Sequence, residues 1–210
     1  MEEHHLRVPR TARYYTLGDP AAARNVWIVL HGYGQLARFF LRSFEAAAEG
    51  HLIVAPEGLS RFYLDNDNSR IGATWMTRED REHEIADQIT YLDALVDVVG
   101  KDRPPCVLGF SQGVATACRW ALLGRTAVER LVLWGGSLPP EPELWKNAAK
   151  LHATPVDLVQ GEQDELVPID VLAQSEVRLR DHGIAHATHR FNGGHVLDPI
   201  LLQRLLDLKA

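Results

Sequence analysis

Along the chain, short apolar runs alternate with stretches whose apolar residues recur every three or four positions. That alternation predicts buried strands interleaved with amphipathic helices. Residues 25–30, Asn-Val-Trp-Ile-Val-Leu, form a near-continuous apolar run of the kind buried on both faces of a parallel sheet. Runs at 51–56, 105–110, 131–136, 155–161 and 187–191 repeat it, and 13–17 reads as a short edge strand. Between them, 36–49, 79–99, 114–123, 169–182 and 196–208 read as helices, with a weaker helical stretch near Trp145 after the Pro-rich loop 138–142. The clearest helix is 79–99, where Ile85, Ile89, Leu92, Val96 and Val99 mark one buried stripe, acidic residues crowd the first turn and Gly100 ends it. Residues 57–77 read as an irregular polar segment carrying Phe62, Tyr63 and Trp75.

Strands alternating with helices across short turns imply an α/β fold: a mostly parallel sheet with helices on both faces. Right-handed crossovers bring the carboxyl ends of the strands to one edge, where ligands bind in such sheets. Residues 1–210 are expected to form one domain, with 1–12 a loosely ordered amino-terminal arm and no room for a large cap domain.

Composition narrows the partners. A net charge of −6 disfavours nucleic acid and anionic membrane surfaces. Cys106 and Cys118 suit a reducing compartment and read as small buried apolar residues. No metal-ligand spacing is present, so neither metal nor cofactor is expected. No apolar stretch is long enough to cross a bilayer, and the amino terminus lacks the apolar run of a secretory signal. The expectation is a cytoplasmic protein. A homodimer is compatible with the sequence, which does not fix the oligomeric state.

Candidate chemistry centres on Gly109-Phe110-Ser111-Gln112-Gly113, between a predicted strand and a predicted helix. Such a turn is a nucleophile elbow, with small residues two before and two after the serine letting the backbone double back. A Gly-rich turn of this kind can be purely structural, so the partners decide. Among 10 histidines, His195 follows a strand and the pair Gly193-Gly194, in position to serve as the base. Asp164, just past the strand 155–161, is the favoured carboxylate. Glu162 and Glu165 compete as solvated surface charges, and Asp170 reads as the cap of the next helix. An oxyanion would be met by the backbone N–H groups of Gln112 and of Tyr33, in His31-Gly32-Tyr33-Gly34. Phe62, Tyr63, Trp75 and Met76, with Leu166 and Val167 beside the acid, are candidate walls of a substrate pocket, although ordinary loop packing explains them as well.

The segments Leu30-His31-Gly32-Tyr33-Gly34, Gly109-Phe110-Ser111-Gln112-Gly113, 160–168 and Gly193-Gly194-His195 together resemble the phospholipase/carboxylesterase family of small α/β-hydrolases, which includes the acyl-protein thioesterases. The resemblance runs from about Arg24 to the carboxyl terminus. It implies an α/β-hydrolase fold, a Ser111–Asp164–His195 triad and an oxyanion hole from Tyr33 and Gln112. Three departures place the chain in a divergent bacterial-type branch. Gln35 stands where aspartate is frequent, Val114 where glycine is, and Asn192-Gly193-Gly194-His195 replaces the usual Gly-x-Gly-His. The expected activity is a serine carboxylesterase acting on small or short-chain esters through an acyl-enzyme. The alternatives are a thioesterase or lysophospholipase on lipidated substrates and, in a different class, a binding protein that kept the fold without turnover.

Overall fold

The computed structural model describes residues 1–100 and 103–208. Seven strands build the main sheet: β1 (Tyr14–Leu17), β2 (Asn25–Leu30), β3 (His51–Pro56), β6 (Cys106–Phe110), β7 (Arg130–Trp134), β8 (Val156–Gly161) and β9 (His186–Phe191). Their spatial order is β1-β3-β2-β6-β7-β8-β9, with β1 antiparallel to β3 and every other pairing parallel. After β2 the chain steps to β3 on one side, then crosses to β6 on the other. The strand order therefore reverses at the β2/β6 pair, which opens a crevice at the carboxyl ends of those two strands.

Side chains alternate across the sheet, so each strand feeds two cores. Ile28, Leu30, Val107 and Leu131 pack against α2 (Arg81–Val99), α3 (Gln112–Leu123), the 3₁₀ helix Leu144–Leu151 and α4 (Ile169–Asp181). Trp27, Val29, Leu108 and Trp134 pack on the opposite face against α1 (Ala37–Phe40), the 3₁₀ helix Leu41–Ala47 and α5 (Pro199–Asp207). Helices thus cover both faces.

Three elements differ from the sequence reading. The helix expected at 36–49 is one α-turn followed by a 3₁₀ helix. Its buried residues Leu41, Phe44 and Ala47 recur every third position, the period of a 3₁₀ helix. The segment read as irregular contains an antiparallel hairpin, β4 (Ser60–Tyr63) with β5 (Ile71–Thr74). Asp170 is exposed and accepts from Gln174; it does not cap α4, whose boundary residue is Pro168. The β4–β5 hairpin lies outside the main sheet, and no large cap domain is present among the described residues.

The elbow depends on close backbone approach. A Cβ on Gly113 would stand 2.2 Å from the carbonyl oxygen of Leu30. Gly113→Ala should therefore push α3 off β2 and lower stability by about 3 kcal/mol, read as the shift in urea unfolding. A loss under about 0.5 kcal/mol would mean that this contact is not tight.

Candidate active site

Five loops at the carboxyl ends of β2, β6, β7, β8 and β9 converge at the crevice. Ser111 follows β6 with φ 55° and ψ −117°, a strained conformation for a residue with a Cβ. Its N–H donates to Trp134 O (2.9 Å) and its carbonyl accepts from Val114 N (3.0 Å), which fixes the elbow.

Asp164 lies in the turn after β8 with a side chain only 1% exposed. Its Oδ1 accepts from the backbone N–H of Leu166 and Val167, each at 2.9 Å, while Oδ2 is 2.8 Å from His195 Nδ1. The two loops are stitched together by Gln163 N–H donating to Gly193 O (2.9 Å) and Glu162 N–H to Phe191 O (2.9 Å). The imidazole of His195 packs on the ring of Phe110, the residue before the serine, at 4.8 Å between centroids. Trp134 Nε1 donates to Val196 O (2.9 Å) and anchors the chain just past the histidine. Among the described residues no hydrogen bond joins the Ser111 hydroxyl to His195; the imidazole meets the elbow through Phe110.

The loop after β2 is held from three sides. Gly32 N–H donates to Gln35 Oε1 (2.8 Å), so the glutamine at the departure noted above closes the turn on itself. Gly34 N–H donates to Ala73 O (2.9 Å), attaching the turn to β5. His31 is fully buried, its Nδ1–H donating to Gly32 O (2.8 Å) and its Nε2 accepting from Gly58 N–H (3.0 Å). Those partners require the neutral ring in one tautomer. The Trp75 indole stacks on it at 5.0 Å and donates to His31 O (2.8 Å). A Cβ built on Gly32 would be 3.1 Å from Ser111 Cβ, so this loop lies against the elbow. Among the described residues the backbone N–H groups of Tyr33 and Gln112 make no hydrogen bond. Two donors are thus left available beside the serine.

The Gln112 side chain ties the start of α3 to the end of β5, donating to Thr74 Oγ1 and Met76 O (2.9 Å each) and accepting from Trp75 N–H (3.1 Å). Sequence reasoning assigned Gln112 only its backbone and gave His31 no part. Glu57, missed altogether, is buried directly after β3 and takes hydrogen bonds from Arg13, Arg61 and the backbone of Ala37. Burial alone would raise its carboxyl; the two guanidinium groups outweigh that and hold it below the usual range. A histidine before Gly-x-Gly was the visible signal, but its partner Gly58 is supplied only by the fold.

Of the expected pocket residues, Phe62 and Met76 are half-buried, with Phe62 against the Tyr33 ring at 5.1 Å. Tyr63 and Leu166 are exposed and Val167 half-buried. Trp75 departs from expectation: at 1% exposure its faces are occupied by core packing, and it supports the loop after β2 from beneath. Glu162 and Glu165 are exposed, as solvated charges are. Two surface depressions of about 340 and 370 Å³ lie at the opposite, amino-terminal edge of the sheet, around Arg24.

The sequence profile of the phospholipase/carboxylesterase family matches residues 18–208. The chain belongs to the phospholipase/carboxylesterase family. Solved structures agree in fold. Esterase PE8 is 23% identical, with a TM-score of 0.71 over 94% of this chain and 98% of its own. Acyl-protein thioesterase 2 of Zea mays is 19% identical (TM-score 0.71, 93% and 96%). The Bacillus cereus carboxylesterase is 18% identical (TM-score 0.71, 93% of both chains). The fold is that of an α/β-hydrolase, and family membership makes the protein a hydrolase of ester or thioester substrates. No helix among the described residues is long and apolar enough to cross a membrane.

Burial of His31 has a consequence for this family member's pH response. Burial lowers its pKa below 6.5, against a smaller opposing effect of the hydrogen bond to Gly32. The stabilisation is full above about 6.5 and is lost as pH falls from there through the lowered folded value, because only the unfolded chain gains a proton in that window. The melting-temperature difference between wild type and His31→Gln should shrink steadily below pH 6.5. A constant difference across that range would mean that folding leaves the pKa of His31 unchanged.

Proposed function

We propose that the protein is a serine carboxylesterase that hydrolyses small or short-chain esters through an acyl-enzyme. The observation that carries this reading is the Asp164–His195 pair, its carboxylate side chain 1% exposed, beside the strained Ser111 elbow. In the proposed cycle His195 takes the Ser111 proton as the hydroxyl attacks the ester carbonyl. The protonated imidazole then gives that proton to the departing alcohol. Water, deprotonated by the same histidine, cleaves the acyl-enzyme and returns Ser111. Tyr33 and Gln112 N–H stabilise the tetrahedral oxyanion, each contributing about 3–4 kcal/mol. The Ser111–His195 hydrogen bond forms by rotation of the serine side chain when substrate enters, since such bonds often tighten only in the bound complex.

Short substrates are favoured because Tyr33, in the loop against the elbow, and Leu166, beside the acid, are 61% and 73% exposed and offer no enclosed acyl channel among the described residues. Thioesters are the second reading, supported by the fold shared with a plant acyl-protein thioesterase. A series of p-nitrophenyl esters from acetate to palmitate, run beside matched acyl thioesters, tests both. kcat/KM should peak at the short esters. A clear preference for long chains would overturn the short-chain reading, and one for thioesters would favour the second. Failure of Ser111 to react with a fluorophosphonate probe would point to a fold without turnover.

A further inference from the structure

Away from the crevice, one side-chain cluster joins the amino-terminal arm to the start of α2. Asp80 precedes the helix and His83 lies in its first turn, on the same face. Asp80 Oδ1 is 2.6 Å from His83 Nδ1 and 3.3 Å from His5 Nε2. The two imidazole rings lie 4.1 Å apart between centroids. Two ring nitrogens and a carboxylate oxygen therefore fall within 4.8 Å of one another, and Glu3 Oε1 is 3.1 Å from the same His5 nitrogen.

We propose that His5, Asp80 and His83 form a site for a divalent transition-metal ion, best matched by Zn²⁺, which fastens the arm to the loop ahead of α2. The donor set decides the ion: imidazole nitrogen with carboxylate oxygen suits zinc, whereas magnesium and calcium take oxygen ligands. A tetrahedral ion bound at about 2.0–2.2 Å holds its donors roughly 3.4 Å apart. The pairs at 2.6 and 3.3 Å need only small rotations of exposed side chains to reach that spacing.

Two further observations support a ligand role. An aspartate at a helix start ordinarily turns its carboxylate onto the N–H groups of the first turn. Asp80 instead adopts a left-handed conformation, φ 46°, makes no side-chain cap and presents its carboxylate to the imidazoles. The arm also has no apolar attachment, since Leu6 and Val8 are 86% and 70% exposed. Exposed ion pairs contribute little to holding such a segment. A shared ion supplies the missing attachment, and Glu3 or water would complete its coordination. The sequence reading found no metal spacing because the ligands come from the arm and a distant helix.

The test is calorimetric titration of the full chain with ZnCl₂ in a non-chelating buffer, alongside Co²⁺ titration followed by visible absorption. One ion per chain with micromolar affinity is expected. His83→Gln and Asp80→Gly should each weaken binding at least tenfold. Both sites are exposed, and glycine also relieves the left-handed backbone, so both variants should fold. Zn²⁺ should slow tryptic cleavage at Arg7 and Arg10 in the wild type but not in the variants. No binding by the wild type, or equal binding by both variants, would overturn the proposal. Ester turnover is not read, so the outcome is independent of the hydrolase reading.

Discussion

Replacing Ser111 by glycine is expected to abolish ester hydrolysis and raise the melting temperature together. In the proposed cycle no acyl-enzyme forms without the hydroxyl, and loss of a triad serine lowers kcat about 10⁶-fold. The stability gain follows from the backbone. Ser111 is held at φ 55°, and a residue with a Cβ in such a region costs about 1–3 kcal/mol. Glycine adopts that conformation freely but loses about 0.5–1 kcal/mol more on folding through its unfolded-state entropy. No cap is sacrificed, because the Ser111 side chain makes no hydrogen bond to the start of α3. The net gain is about 1 kcal/mol, or about 2–4 °C for a chain of this size. Ser111→Ala is the control: equally inactive, but still strained and melting near the wild-type temperature. Scanning calorimetry and p-nitrophenyl acetate turnover on the three proteins decide the matter. Wild-type turnover by either variant would remove Ser111 from the mechanism. A lower melting temperature for the glycine variant would show that the elbow stores no strain.

The elbow itself was legible in five residues of sequence, because Gly-x-Ser-x-Gly between an apolar run and a helix lets the backbone double back at the serine. Only its partners separate chemistry from a structural turn. The central strands were equally legible. Residues 27–30 and Cys106–Phe110 are buried on both faces, and continuous burial leaves continuous apolar sequence. The β4–β5 hairpin was not legible: its strands are four residues each, and the turn between them is polar. Asp65 organises that turn by accepting from Ser69 and Arg70 N–H, a local role that reads in sequence as plain polarity. Yet the hairpin holds the loop after β2 in place. A Cβ on Gly72 would stand 2.6 Å from Gly34 O. Motifs announced which residues carry candidate chemistry. The groups that hold them still, His31, Glu57 and Trp75, make contacts across distant chain segments and left no periodic trace.

Asp164→Asn is expected to fold normally, bind substrate normally and lose about 10⁴-fold in kcat, equivalent to about 5 kcal/mol of transition-state stabilisation. The reason lies in how the carboxylate is used. Oδ1 accepts from two backbone N–H groups, of Leu166 and Val167, so an amide placed there must set its oxygen toward them. Its NH₂ then faces His195 Nδ1, where the carboxylate oxygen had been. Two donors cannot share that contact, so the imidazole must surrender the Nδ1 proton and carry it on Nε2 instead. A ring protonated at Nε2 cannot accept the proton of Ser111, and the base is lost although every hydrogen bond around residue 164 is satisfied. That satisfaction is why stability should stay within about 1 kcal/mol of wild type, unlike a truncation that leaves the Leu166 and Val167 N–H groups without their acceptor. The ¹⁵N shifts of His195 should report the switched tautomer directly, independently of turnover. An Asp164→Asn enzyme within tenfold of wild-type kcat would assign the orienting carboxylate elsewhere, and the Asp164–His195 contact would then be structural only.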